Sequence, residues 1–175
     1  GADGAGPGDG EPVAVSSDAP RFPTLTDLLD ASDVVVAGQV EGTERGRTFG
    51  EPGSTAIVSR LVTLRIDEVI AGAPRAGAPN VLVEEEGWLE DGRPLAVDGA
   101  APSEAGDRGI WFLVEVEDPE LPVYTVLNAQ GRYLLDEAGA LLGADGDDPL
   151  IAEVEALTPD ALAARVAEVV VAPPG

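Results

Sequence analysis

Leu61-Val62-Thr63-Leu64-Arg65-Ile66-Asp67-Glu68-Val69-Ile70-Ala71-Gly72 is the stretch on which the fold turns. Val62, Leu64 and Ile66 alternate with Thr63, Arg65 and Asp67. That is the two-residue period of a strand with one buried face and one wet face. The period then breaks. By parity Glu68 would point inward and Val69 outward, so the pattern predicts a β-bulge at Asp67-Glu68 that turns Val69 back into the core. At the other end Arg60 shares the parity of Val62, which predicts either a place at a barrel mouth or a second break near Ser59. A long strand broken in this way can serve two sides of a small barrel.

Further strands lie on both sides of it. Val34-Val35-Val36-Ala37-Gly38-Gln39-Val40 opens with three Val in a row, as a strand covered on both faces does. Gly38 within it marks a bend or the close approach of another backbone. Residues 41–54 read as a loop carrying Arg45 and Arg47, and the long strand as 55–70. Residues 80–84, 109–116 and 123–127 give three more strands. Asn128-Ala129-Gln130-Gly131 then reads as a tight turn from which residues 132–135 return as a hairpin, followed by a second turn into 140–142. The connection 86–107 is long enough to be functional or to hide an element, here a short strand near residues 93–97.

Helix signals flank these strands. Thr24 is an N-cap for a short helix ending at Ala31, with Leu25, Leu28 and Leu29 on one face. Residues 150–157 look helical. Thr158-Pro159-Asp160 starts a last helix over about 158–171, striped by Leu162, Val166, Val169 and Val170. The expected fold is mainly β with flanking helices: an OB-like small β-barrel occupying 21–172 as a single domain. Residues 1–20, rich in Gly, Ala, Asp and Pro, read as a disordered linker.

Composition removes whole classes of chemistry. Ten Arg stand against 33 Asp and Glu, a net charge of -23, with no Lys, His, Cys or Met. Ser-His-Asp and Cys-His constellations, Ser-Lys dyads and Schiff bases are therefore impossible. Zinc and copper lose their best ligands. The charge argues against nucleic acid or anionic lipid as a partner. No run nears the ~18 apolar residues of a membrane span. Arg without Lys, alongside abundant Ala, Gly and Pro, points to a high-GC bacterial source such as an actinobacterium. A start at Gly1 rather than Met raises the expectation of a removed signal segment or a trimmed start.

What remains is carboxylate and oxygen-ligand chemistry. Glu84, Glu85, Glu86, Glu90, Asp91 and Asp98 cluster around Trp88, where two acids could work as acid and base or where the run is a solvated face. Glu44-Arg45-Gly46-Arg47, with Arg60 nearby, is the local basic cluster. Trp88, Glu86, Asp91, Arg45 and Arg47 are the candidate ligand-binding residues. Asp145, Asp147 and Asp148 are candidate calcium ligands on a turn. An EF-hand loop from Asp145 would need Glu at position 156, where Ala156 stands, and an acidic turn before a helix is the competing reading.

The order of motifs is similar to one seen elsewhere. Ala31-Ser32-Asp33-Val34-Val35-Val36-Ala37-Gly38-Gln39-Val40, then Val62 to Gly72, then Val81-Leu82-Val83, then Gly106-Asp107-Arg108-Gly109-Ile110-Trp111-Phe112-Leu113, resembles a loose group of exported, lipoprotein-like bacterial domains. These resemble the netrin-like module of metalloprotease inhibitors, an OB-like five-stranded barrel with helices. The resemblance spans about 31–133. The module's metal-chelating N-terminal Cys and its clamping cysteines have no counterpart, so inhibition by chelation does not carry over. The resemblance implies a fold and an extracytoplasmic setting. The expected role is a non-catalytic, secreted or envelope-anchored domain that binds a protein or small ligand through its loops. The alternatives are a carboxylate-dependent hydrolase using acids of the 84–107 region and a structural spacer.

Overall fold

The computed structural model describes residues 13–15, 21–50, 56–74, 79–97, 100–117, 123–144 and 147–171. In chain order its elements are β1 (Val13–Val15), α1 (Leu25–Ala31), β2 (Val34–Phe49), β3 (Ile57–Gly72), β4 (Asn80–Leu89) and β5 (Leu95–Val97). After these come β6 (Arg108–Glu115), β7 (Tyr124–Thr125), a 3-10 turn (Ala129–Gly131), β8 (Arg132–Leu135), β9 (Leu141–Leu142), α2 (Pro149–Glu155) and α3 (Pro159–Val171). The fold is mainly β, with one helix before the sheet and two after it.

The seven-stranded sheet runs β2-β3-β4-β7-β6-β8-β9, and β6 also pairs with β2. Strands β2, β3, β4, β7 and β6 thus form a partly closed ring, antiparallel except for the β4–β7 contact, which is parallel. The expected OB-like barrel with flanking helices is the fold observed. Among the described residues no helix is long and apolar enough to cross a membrane.

The run of valines shows how one strand serves two cores. Val34 and Val36 face the ring interior with Val62, Leu64, Val83, Trp111 and Leu113. Val35 faces the other way, into a second core with Phe112, Tyr133 and the helix residues Leu28, Ile151, Leu162 and Val166. Fully burying a side chain of this kind contributes about 1.5–3 kcal/mol, so three consecutive valines anchor the barrel and the helical layer together. Thr24 caps α1 as its sequence suggests, its hydroxyl accepting from the Asp27 N–H at 3.1 Å. Leu162, Val166 and Val169 of α3 pack as expected, while the side chain of Val170 lies outside the described residues. Where β2 meets β6, Gly38 lies opposite Gly109. A Cβ on Gly38 would strike the Arg65 carbonyl, and one on Gly109 the Tyr133 carbonyl. Close backbone approach is thus the reason for glycine at this seam.

The strand that opens the sequence argument is bulged. Opposite Ala37 and Gly38, β3 skips Asp67, and opposite Val35 and Val36 it skips Ile70. The bulge at Asp67 is where parity placed it, and Glu68 is exposed. Val69, expected in the core, is 41% exposed, and Ile70 and Ala71 make the core contacts instead. The cause is the end of β4. Its pairing with β3 stops at Arg65 opposite Asn80, so farther on Val69 has no second strand beside it among the described residues. A break near Ser59 is also present: β4 skips Gly87 there, and Arg60 is buried.

Two other expectations are corrected. Residues 41–49, expected as loop, continue β2, and the 51–54 part of that loop, with the expected strand start at 55, lies outside the described residues. This outer half of β2 is exposed or half-buried, so it carries no apolar alternation to reveal it. Residues 132–135 do not return on 123–127 as a hairpin. Both β7 and β8 run antiparallel to β6, at Val114↔Thr125 and Trp111↔Arg132. From Thr125 to Arg132 the chain advances seven positions while β6 recedes three, so β7 and β8 are pieces of one strand line interrupted by an excursion. The true hairpin is β8–β9, closed by Asp136, which accepts from the Ala138 and Ala140 N–H groups. The expected linker 1–20 lies outside the described residues apart from Val13–Val15, which form β1.

Candidate ligand cleft beside the barrel

The excursion between β7 and β8 builds one wall of a cleft of about 170 Å³. Val126, Leu127, Asn128 and Ala129 form this wall, and Leu95 and Val97 of β5 with Ala100, Ala101 and Pro102 form the facing one. The short strand expected near residues 93–97 is thus real, and it lines the cleft. It arises because the chain reverses tightly after β4, Leu89 donating to the Arg93 carbonyl at 2.9 Å.

Charged groups also line the cleft. Glu85, Glu86 and Arg132 reach it from β4 and β8. Glu85 accepts from the Ser103 N–H at 3.0 Å and the Ser103 hydroxyl at 2.9 Å. It also meets Arg60 at 3.2 Å and Arg132 at 3.7 Å. Arg132 donates to the Ser103 hydroxyl at 2.9 Å and to the Ala101 carbonyl. The loop wall is therefore fixed to the barrel by ion pairs and side-chain hydrogen bonds, beside the isolated antiparallel bridge of Pro94 to Trp88.

The far wall is held by a second network. The Asn128 side chain accepts from the Gln130 N–H at 2.7 Å. Gln130 pairs with the Phe22 backbone as another peptide group would, accepting at 2.8 Å and donating at 2.9 Å. It also donates to Asp148 at 3.0 Å. Asp148 caps α2 through the Leu150 and Ile151 N–H groups and pairs with Arg21 at 2.6 Å. Burial pushes the Asp148 carboxyl up, and the donors Ile151 N–H, Gln130, Arg21 and Leu150 N–H together outweigh it, leaving the group below the ordinary carboxylate range.

A third cluster stands on the outer part of β2, β3 and β4. Two guanidinium groups lie over the Trp88 ring, Arg60 at 4.3 Å from the ring centre and Arg45 at 5.0 Å. Arg47 makes a two-point contact with Glu84, at 3.0 and 2.9 Å, and lies 4.9 Å over the Phe49 ring.

The residues singled out in the sequence are thus divided. Trp88 and Arg45 come together, and Arg47 stands near them on β2 but is engaged by Glu84. Glu86 lies at the cleft. Asp91 is elsewhere, shaping the turn after β4, where it accepts from the Arg93 backbone at 3.1 Å and side chain at 2.8 Å. The backbone bond to Arg93 leads in holding its carboxyl below the usual value. Of the calcium candidates, Asp145 lies outside the described residues, Asp147 is exposed, and Asp148 spends its oxygens on the helix cap, Gln130 and Arg21. Of the acids offered for hydrolysis, Glu84 and Glu85 are engaged by arginines and Ser103, and Asp98 lies outside the described residues.

Sequence reading missed Arg132, Ser103, Asn128 and Leu127. A usable signal existed for Arg132. In an acid-rich chain with few cations, an Arg beside the core residue Tyr133 is placed to neutralise a half-buried carboxylate, here Glu85. No protein-family model and no curated protein sequence matches the chain.

Proposed function

We propose that this chain is a non-catalytic binding domain of a secreted or envelope-anchored bacterial protein, and that the cleft between β5 and the β7–β8 excursion takes its ligand. One observation carries the reading: a cleft lined mostly by apolar groups with Glu85, Glu86 and Arg132 as its charged members, the usual form of a site that buries a ligand body and orients a polar end. The commitment of Glu84 and Glu85 to arginines supports binding over hydrolysis, because a hydrolase needs one acid and one base available to the substrate. Export rests on the resemblance of the strand order to exported lipoprotein-like domains and on the Gly- and Pro-rich stretch before α1.

The test is a heteronuclear NMR titration of the full chain with small amphipathic acids and amides. Amide shifts should gather at 95–102 and 125–129. Ala101→Trp, which fills the cleft from its exposed rim, should weaken the response at least about tenfold while leaving the melting temperature unchanged. Shifts scattered elsewhere, or none at all, would reject the cleft as the site.

A further inference from the structure

Among the described residues β5 pairs as a strand with β1 alone, in a two-stranded sheet, and β1 comes from the segment ahead of α1. The two run parallel, Val13 against Leu95, Ala14 against Ala96 and Val15 against Val97. Leu95 and Val97 line the cleft. On the opposite wall Phe22 is held by Gln130, the neighbour of the cleft residue Ala129. The chain ahead of α1 is therefore tied at both walls, by backbone pairing on one and by a side-chain clamp on the other. A three-residue parallel pairing is short, and units of that size open at low free energy.

We propose that the β5 edge is a strand-accepting site for an extended apolar peptide, that Val13–Val15 occupies it in cis, and that the ligand in trans is a protein segment with branched apolar residues flanked by Lys or Arg. The inference rests on the cleft being the binding site and names its ligand class. In strand addition the backbone supplies the hydrogen bonds and alternate side chains enter pockets, which here are the cleft walls beside Leu95 and Val97. Charge selects the flanks. The chain carries -23, and in the turn leading into β5 Glu90 and Asp91 stand against the one cation Arg93, which is paired with Asp91. A second copy would bring Asp9, Glu11 and Asp18 with its own Val-Ala-Val and be repelled, whereas a basic segment is attracted.

The test uses the full chain and its double variant Ala14→Pro/Val15→Pro. In a parallel ladder successive residues alternate in presenting both backbone groups to the partner, so the pair of prolines removes a donor whichever residue faces β5. A fluorescent Lys-Arg-Val-Ala-Val-Arg-Lys peptide is titrated into both, beside a Glu-flanked counterpart. The variant should bind the basic peptide at least about tenfold tighter than the parent, since the site is no longer self-occupied. On adding the basic peptide, hydrogen exchange should show the Leu95–Val97 amides of the variant gaining protection over the peptide-free variant. In the parent, excess peptide should strip protection from Val13–Val15. Equal affinity for parent and variant, protection that appears away from β5, or tighter binding of the acidic peptide would overturn the proposal. If the peptide fails while small amphiphiles still shift the cleft amides, the strand site falls and the cleft reading stands. If both fail, both fall.

Discussion

Arg60 is 4% exposed, and its charge is met by Glu85 on the neighbouring strand and by the Trp88 ring. A buried cation that loses its anion costs far more than the pair contributes. Glu85→Ala should therefore destabilise the chain by about 3–5 kcal/mol in urea titration, with the added loss of the Ser103 anchor. The double change Glu85→Leu/Arg60→Met should recover much of that, because both charges leave together. A single-residue test also separates the bulge observed from the bulge expected. Val69→Asp should alter stability by no more than about 0.5 kcal/mol, whereas Ile70→Asp should cost about 1–3 kcal/mol in the same assay. Parity along 62–68 was enough to locate the break. It was not enough to say which residue would face inward afterwards, because that depends on where β4 ends, a fact about another strand.

Elements show the same division between local and distant cause. The helix starts at Thr24 and Thr158 rest on contacts three residues away and were readable as sequence, whereas the equally local cap at Asp148 stood in the sequence as a candidate calcium ligand. The β7–β8 line was not. Asn128-Ala129-Gln130-Gly131 has the composition of a hairpin turn, and only the register of both flanking pieces on β6 shows that the chain continues onward. The cleft was invisible for that reason, since Ser103, Arg132 and Glu85 meet across separations that only the ring topology closes. The capping element also has a pH signature. The folded Asp148 carboxyl lies below its unfolded value of about 3.9, so its contribution to stability is fully present above that value and is lost as pH falls through the folded one. The stability advantage of the parent over Asp148→Asn, measured by chemical denaturation at a series of pH values, should shrink steadily as pH drops below about 4.

For the whole molecule the ruling quantity is the charge of -23 on a fold of two cores sharing β2 and β6. Self-repulsion of this size opposes compaction and is screened by salt. Raising NaCl from about 0.01 to 0.3 M at neutral pH should raise the melting temperature by several degrees, the reverse of what a molecule held chiefly by surface ion pairs would show. The ring itself has a further consequence. Because β7 and β8 each pair with β6 through their own residues, the excursion between them can be varied at its exposed position, Leu127, while buried Asn128, Ala129 and Gln130 keep the wall in place. A library at that position would change what the cleft accepts, with Gln130 retained as the fastening point to Phe22.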